Sequence, residues 1–113
     1  MTLFRLFLGA MLAVIAIYTL VVVAEHGMNL FPVFFGDIGA MGWPGQFNLD
    51  FLGMLMLSAL WTAWRNEFTP MGLLLGLLAL LFGAPFLTIY LLVLSVQTQG
   101  NLKEMLLGEA RAG

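Results

Sequence analysis

The sequence predicts an all-α integral membrane protein: three transmembrane helices, an apolar interfacial loop between the first two, and a short surface helix near the C-terminus. Two observations predict it. Hydrophobic residues make up 62% of the 113-residue chain and charged residues only 9%, with a mean hydropathy of +1.03. A soluble domain carries roughly 25% charged residues, so this chain lacks the polar surface to face water, and lipid must cover it. The apolar residues also fall into runs of membrane-crossing length, at about 6–24, 47–64 and 71–96. All 113 residues read as one membrane domain.

The first run, Leu6 to Ala24, lies between Arg5 and the Glu25-His26 pair. About 20 helical residues cross a hydrocarbon core of ~30 Å. Its β-branched residues, among them Val21, Val22 and Val23, do not prevent a helix, because backbone groups in lipid must pair within their own segment. Arg5 and Val22-Val23-Ala24 also fit a cleaved signal peptide. The run is longer than the usual core of about 7–15 residues, and a membrane anchor is the preferred reading.

Residues 27–46 hold Pro32, Pro44 and five glycines, which argues against a long helix. Leu30, Phe31, Val33, Phe34, Phe35, Ile38, Met41 and Trp43 are too apolar for an aqueous loop. The segment is expected in the headgroup region or folded over the helix ends, with Trp43 as an interface anchor. The second span follows from Phe47 to Trp64, with Trp61 and Trp64 at its far interface and Arg65 closing it. Thr69 before Pro70 predicts an N-cap with proline at the first helical position.

The third span, Met71 to about Val96, is long enough to need a tilt or kink, which Pro85 beside Gly83-Ala84 supplies. A re-entrant hairpin broken at Gly83-Ala84-Pro85 is the rival reading; each half would be too short to span. Asn101 three residues before Glu104 signals a cap, and Leu102, Met105 and Leu106 share one face of a short helix. Three spans put Arg5 and Arg65 on one side and Lys103 and Arg111 on the other. The first helix breaks that tie toward a cytoplasmic N-terminus, in what is expected to be a bacterial inner membrane.

Composition excludes several functions. Four Lys and Arg residues fall short of the roughly 6–10 phosphate contacts of a tight nucleic-acid binder. Without cysteine there is no disulfide, thiolate metal site or Cys nucleophile. The one histidine has no tied nucleophile, so no serine triad forms. No cofactor is expected.

Two groups of residues carry the remaining signal. Gly72, Gly76, Ala79 and Gly83 recur at spacings of four, three and four, along one helix face where another backbone can approach closely. That face fits a seam inside the chain or one between copies. Glu25, His26, Asp37, Gln46, Asn48 and Asp50 gather at one membrane face, because successive spans cross in opposite directions. Asp50, one turn inside its helix, is an intramembrane acid and so a candidate site. It also fits a helix-dipole cap, with Asn48 or Gln46 holding the loop backbone. Glu25, His26, Asp37 and Asp50 match no metal-ligand spacing. Tyr18 shares a face with Glu25, Thr88 and Tyr90 flank the expected kink, and Ser58 is expected to bond back to its own helix.

The stretch Trp43-Pro44-Gly45-Gln46-Phe47-Asn48-Leu49-Asp50-Phe51, followed by Trp61-Thr62-Ala63-Trp64-Arg65-Asn66-Glu67, resembles a group of small bacterial and plant membrane proteins of unknown function. An Asp-Phe pair opens a helix in that group and a Trp with a basic residue closes it. The resemblance covers residues 43–97 and implies that Asp50, Phe51, Trp61 and Arg65 belong to the shared pattern. It brings no activity with it. The proline-glutamine signature of half-size sugar transporters and the acidic proline motif of small carotenoid cyclase subunits are both missing.

Three functions follow as expectations. The first is a non-enzymatic subunit, self-assembling or accessory to a larger membrane complex, whose partners are the bilayer and further helices. The second is a homo-oligomeric transporter or channel lined by Asp50, Asn48, Gln46 and Tyr18. The third is a membrane enzyme acting on an apolar lipid or isoprenoid, with Asp50 as general acid and His26 as its partner.

Overall fold

A computed structural model describes residues 1–112, and among these every regular element is helical. The elements are α1 (Thr2–His26), α2 (Leu30–Ala40), α3 (Trp43–Arg65), α4 (Pro70–Phe82), α5 (Ala84–Gln97), α6 (Leu102–Leu107) and α7 (Glu109–Ala112). Among the described residues, α1 alone is both long and apolar enough to cross a membrane; α2, α4 and α5 are shorter apolar helices.

The segment expected as a third span is not one continuous helix. Gly83 adopts φ 61° and ψ −133°, a conformation open essentially to glycine alone. Pro85 follows at the start of α5, where its missing N–H costs nothing but where it cannot extend α4. The chain turns back here. Asn66, packed against Gly72 in the first turn of α4, donates a 2.8 Å hydrogen bond to the Tyr90 hydroxyl on α5. A continuous helix would hold Gly72 and Tyr90 about 27 Å apart. Helices α4 and α5 are therefore the arms of a hairpin with Gly83 at its tip. Each arm is about 20 Å long, and the tip rests on Phe51 and Leu55 near the middle of α3.

The small-residue face of α4 makes this packing close. Gly72, Gly76, Ala79 and Gly83 are all buried. A methyl group at Gly76 would stand 3.0 Å from the Ala59 carbonyl oxygen and 3.5 Å from Ala63 Cβ. The other arm lies on α1: Arg5 donates to the Ser95 hydroxyl (2.9 Å) and carbonyl (2.8 Å), Leu8 is buried, and Gly100 abuts Met1. Helix α1 runs antiparallel to α5 in this register and outruns its start, leaving Ile17, Tyr18 and Leu20 exposed.

Two further expectations are corrected. The segment between the first two spans is not a loop, since residues Leu30–Ala40 form α2. Pro32 falls in its first turn, where no intrahelical N–H is lost, and eleven residues are few enough to tolerate Gly36 and Gly39. Helix α3 starts at Trp43, four residues before the expected Phe47, with Pro44 in its first two positions. Thr69 caps α4 by accepting from the Gly72 N–H (3.1 Å), and Asn101 caps α6 by accepting from the Glu104 N–H (3.3 Å), both as the sequence indicates. Within α6, however, Met105 does not share a surface with Leu102 and Leu106. It is only 1% exposed and packs with Tyr90 and Leu94, while the two leucines face outward.

Candidate functional site

The six polar residues expected to converge do not form one constellation. Glu25 and His26 end α1, their side chains 4.0 Å apart and 69% and 75% exposed. Asp37 is half-buried on α2, and its backbone carbonyl lies against Gly45. A methyl at Gly45 would come within 2.9 Å of Ile38 Cα and closer still to that carbonyl, so glycine sets the α2–α3 distance. Gln46 is exposed in the first turn of α3, and its N–H bonds the Gly42 carbonyl (3.0 Å).

Asn48 is the member with a defined task. Its Nδ2 donates to the Phe34 carbonyl at 3.1 Å, tying α2 to α3. Asp50 is the member without one. It is exposed and makes no hydrogen bond or ion pair among the described residues. Because α3 begins at Trp43, Asp50 is its eighth residue and not, as expected, in its first turn. The dipole effect falls off within that turn, so the capping role is overturned. Asn48 and Asp50 are two residues apart and project about 200° apart around the helix. Among the described residues, no group of three His, Asp or Glu side chains is placed to hold a metal ion.

The densest polar arrangement lies at the opposite end of α3, where sequence reasoning placed only an interface. Arg65 donates from Nε to the Met105 carbonyl (2.5 Å), from Nη2 to the Glu104 carbonyl (3.0 Å) and from Nη1 to the Tyr90 hydroxyl (3.4 Å). Asn66 Nδ2 donates to the Thr62 carbonyl and the Tyr90 hydroxyl, each at 2.8 Å. Trp61 Nε1 donates to the Leu106 carbonyl at 3.0 Å. The Arg111 guanidinium stacks 4.3 Å over the Trp64 ring and donates to the Trp64 carbonyl. Both carbonyls that Arg65 takes lie in the short six-residue α6, where Glu104 also accepts from the Gly108 N–H at 2.9 Å. A planar guanidinium fork suits that task.

The Tyr90 hydroxyl is thus satisfied by Arg65 and Asn66 from the end of α3. Ser58 departs from expectation: its hydroxyl is buried without a hydrogen-bond partner among the described residues. Of the residues of the quoted motifs, Phe51 supports the hairpin tip while Trp61 and Arg65 hold the C-terminal helices. Asp50 has no such role. The signal for the Arg65 end was present in the adjacent Arg65-Asn66 pair at a helix terminus, but its partners are some 25–40 residues away in the chain.

No family model matches the chain, and no curated protein or solved structure matches it either. The resemblance over residues 43–97 rests on its quoted motifs alone.

Proposed function

We propose that the chain is a small integral protein of a bacterial inner membrane, serving as a self-assembling or accessory helical subunit of a membrane complex. In this reading α1 spans the bilayer, α3 is long enough to cross beside it though less apolar, and the α4–α5 hairpin enters from the cytoplasmic side and returns to it. The observation that carries the reading is the distribution of cations. Arg5 bonds Ser95, Arg65 bonds Met105, Lys103 stands in α6, and Arg111 stacks on Trp64. The fold-back thus collects all four Lys and Arg residues at one end of a largely bare apolar body. Lys and Arg flank spans on the cytoplasmic side. The sequence tie between two orientations depended on a third span, and without it the N-terminus and the C-terminal helices share the cytoplasmic face.

The subunit role draws its support from the other half. Beyond the hairpin tip, α1 exposes Ile17, Tyr18 and Leu20, and α3 exposes Asp50. A carboxylate within a span costs about 2.5–3.5 kcal/mol on insertion scales, a cost that a neighbouring helix relieves. Transport along a path of Asp50, Asn48, Gln46 and Tyr18 has less support, because Asn48 is engaged with α2 and Asp50 projects away from it. An enzyme pairing Asp50 with His26 has the least, since His26 sits exposed beside Glu25.

Single-cysteine labelling tests the topology. In inverted and right-side-out vesicles, Asn29→Cys is expected to react only from outside and Gln99→Cys only from the cytoplasm. External labelling of Gln99→Cys would restore the three-span reading. Native mass spectrometry from mild detergent tests the role, and a strict monomer with no co-purifying membrane partner would count against it.

A further inference from the structure

We infer that α6 is a strap holding two halves of the molecule together, and that its release lets them part at the Arg65 end. The helices pack as two units. Helix α5 lies on α1, and α2 and α4 lie on α3, while the two long helices α1 and α3 make almost no direct contact. Before α6, the chain passes between the units at two points. One is the connector after α1, where Gly27 has φ 73°; the other is the hairpin tip, where Gly83 has φ 61°. A glycine at each crossing leaves the backbone free to turn there, as a hinge requires.

Helix α6 follows α5 and packs with it, Met105 filling the buried cluster of Tyr90 and Leu94. Its carbonyls are held from the other unit: Arg65 takes those of Glu104 and Met105, and Trp61 takes that of Leu106. Six residues do not sustain a helix alone, and the flanking turns at Gln99-Gly100 and Gly108 all carry positive φ. The strap is therefore ordered only while α3 grips it, an order–disorder element of the kind that switches conformations. Beside it the seam is closed by side chains, Trp61 meeting Tyr90 edge-on at 6.1 Å while Arg65 and Asn66 hold the Tyr90 hydroxyl.

Parting uncovers a polar surface. Ser58, Thr62 and Arg65, at spacings of four and three, share one face of α3. From that face Arg65 bonds Tyr90 on α5; Thr62 is wholly buried on it. The Ser58 hydroxyl is buried there too, without a hydrogen-bond partner among the described residues. A hydroxyl shut in this way costs free energy that contact with water returns. A seam that never opened would be better filled by alanine. Opening at the Arg65 end hydrates Ser58, Thr62 and Asn66 in a cleft that ends at the hairpin tip. The strap and its hinges are the same whichever way the chain lies in a bilayer.

The chain has no cysteine, so spin labels on paired cysteines in mild detergent measure the two units directly. Leu3→Cys on α1 with Met71→Cys on α4 spans the seam. Leu3→Cys with Ile89→Cys, and Leu60→Cys with Met71→Cys, each lie within one unit; all four sites are exposed. The seam pair is expected to show a second, longer distance. Its population is expected to rise about tenfold in Trp61→Phe, which removes the donor to Leu106 and keeps a ring beside Tyr90. The pairs within a unit are expected to hold one distance. A single seam distance unmoved by Trp61→Phe overturns the strap. Lengthening within a unit overturns it as well, because the fold would then loosen as a whole. Ser58→Cys, probed with a small charged thiol reagent, is expected to react about tenfold faster in the Trp61→Phe background. An unchanged rate there, while the seam distance lengthens, overturns the polar cleft.

Discussion

The two ends of α3 are built on opposite terms. At the Arg65 end the chain satisfies itself: Arg65, Asn66, Trp61 and Arg111 each donate to a carbonyl or hydroxyl of another turn or helix. Four helices and the tail converge there, and Met105 and Leu94 are almost wholly buried. At the Trp43 end one hydrogen bond, from Asn48 to Phe34, holds a short helix in place, while Glu25, His26, Gln46 and Asp50 stand exposed. The difference teaches that polar residues in an apolar chain have two uses. Those that meet their partners within the chain make the fold, and those left open are where the proposed subunit role puts a neighbour.

Substitutions can break that contrast. The largest effect is expected at Arg65. Arg65→Ala removes the donors to Met105, Glu104 and Tyr90 together, and charged donors are worth roughly 1.5–3 kcal/mol each. A loss of about 3 kcal/mol or more is expected, seen as a lower midpoint in thermal unfolding in mild detergent and as protease release of the segment after Gly100. Arg65→Lys is expected to recover only part of this, because an ammonium lacks the planar fork. Unchanged proteolysis in Arg65→Ala would show that the C-terminal helices are held by apolar packing alone.

A smaller loss is expected at the hairpin tip. Gly83→Val forces a β-branched residue to φ 61° and places its Cβ 3.0 Å from Leu55 and 3.2 Å from Phe51. Strain of this kind costs about 1–3 kcal/mol, so a destabilisation near 2 kcal/mol is expected by the same assay. If Gly83→Val is as stable as the parent, the tip does not hold this conformation and the two-region contrast loses its basis. The smallest effect belongs to the sparse end. Asn48→Ala removes one neutral hydrogen bond and is expected to cost about 1 kcal/mol. A disulfide between Phe34→Cys and Asn48→Cys in a double variant would show that α2 keeps its place.

Local signals were readable in the sequence because their causes are local. Thr69-Pro70 and Asn101-x-x-Glu104 cap helices through atoms a few residues away. The Gly72-Gly76-Ala79-Gly83 spacing reports a close approach whichever helix fills it. The hairpin was not readable in this way. Gly83-Ala84-Pro85 serves a kink and a reversal equally well, and the choice is made by Tyr90 meeting Asn66 across the turn. Helix α2 was obscured for the opposite reason. Proline and glycine counts weigh against long helices, yet Pro32 in a first turn breaks nothing. Pro44 just inside α3 was itself a start signal, and it moves Asp50 out of the first turn and its capping role.

The reversal at Gly83 also bears on how such a chain enters a bilayer. In the proposed embedding, only the stretch joining α1 to α3 has to be carried across, and that stretch contains neither lysine nor arginine. Two antiparallel helices can then go in together, and everything synthesised after Arg65 stays on the side of the ribosome, the hairpin dipping into lipid without being translocated.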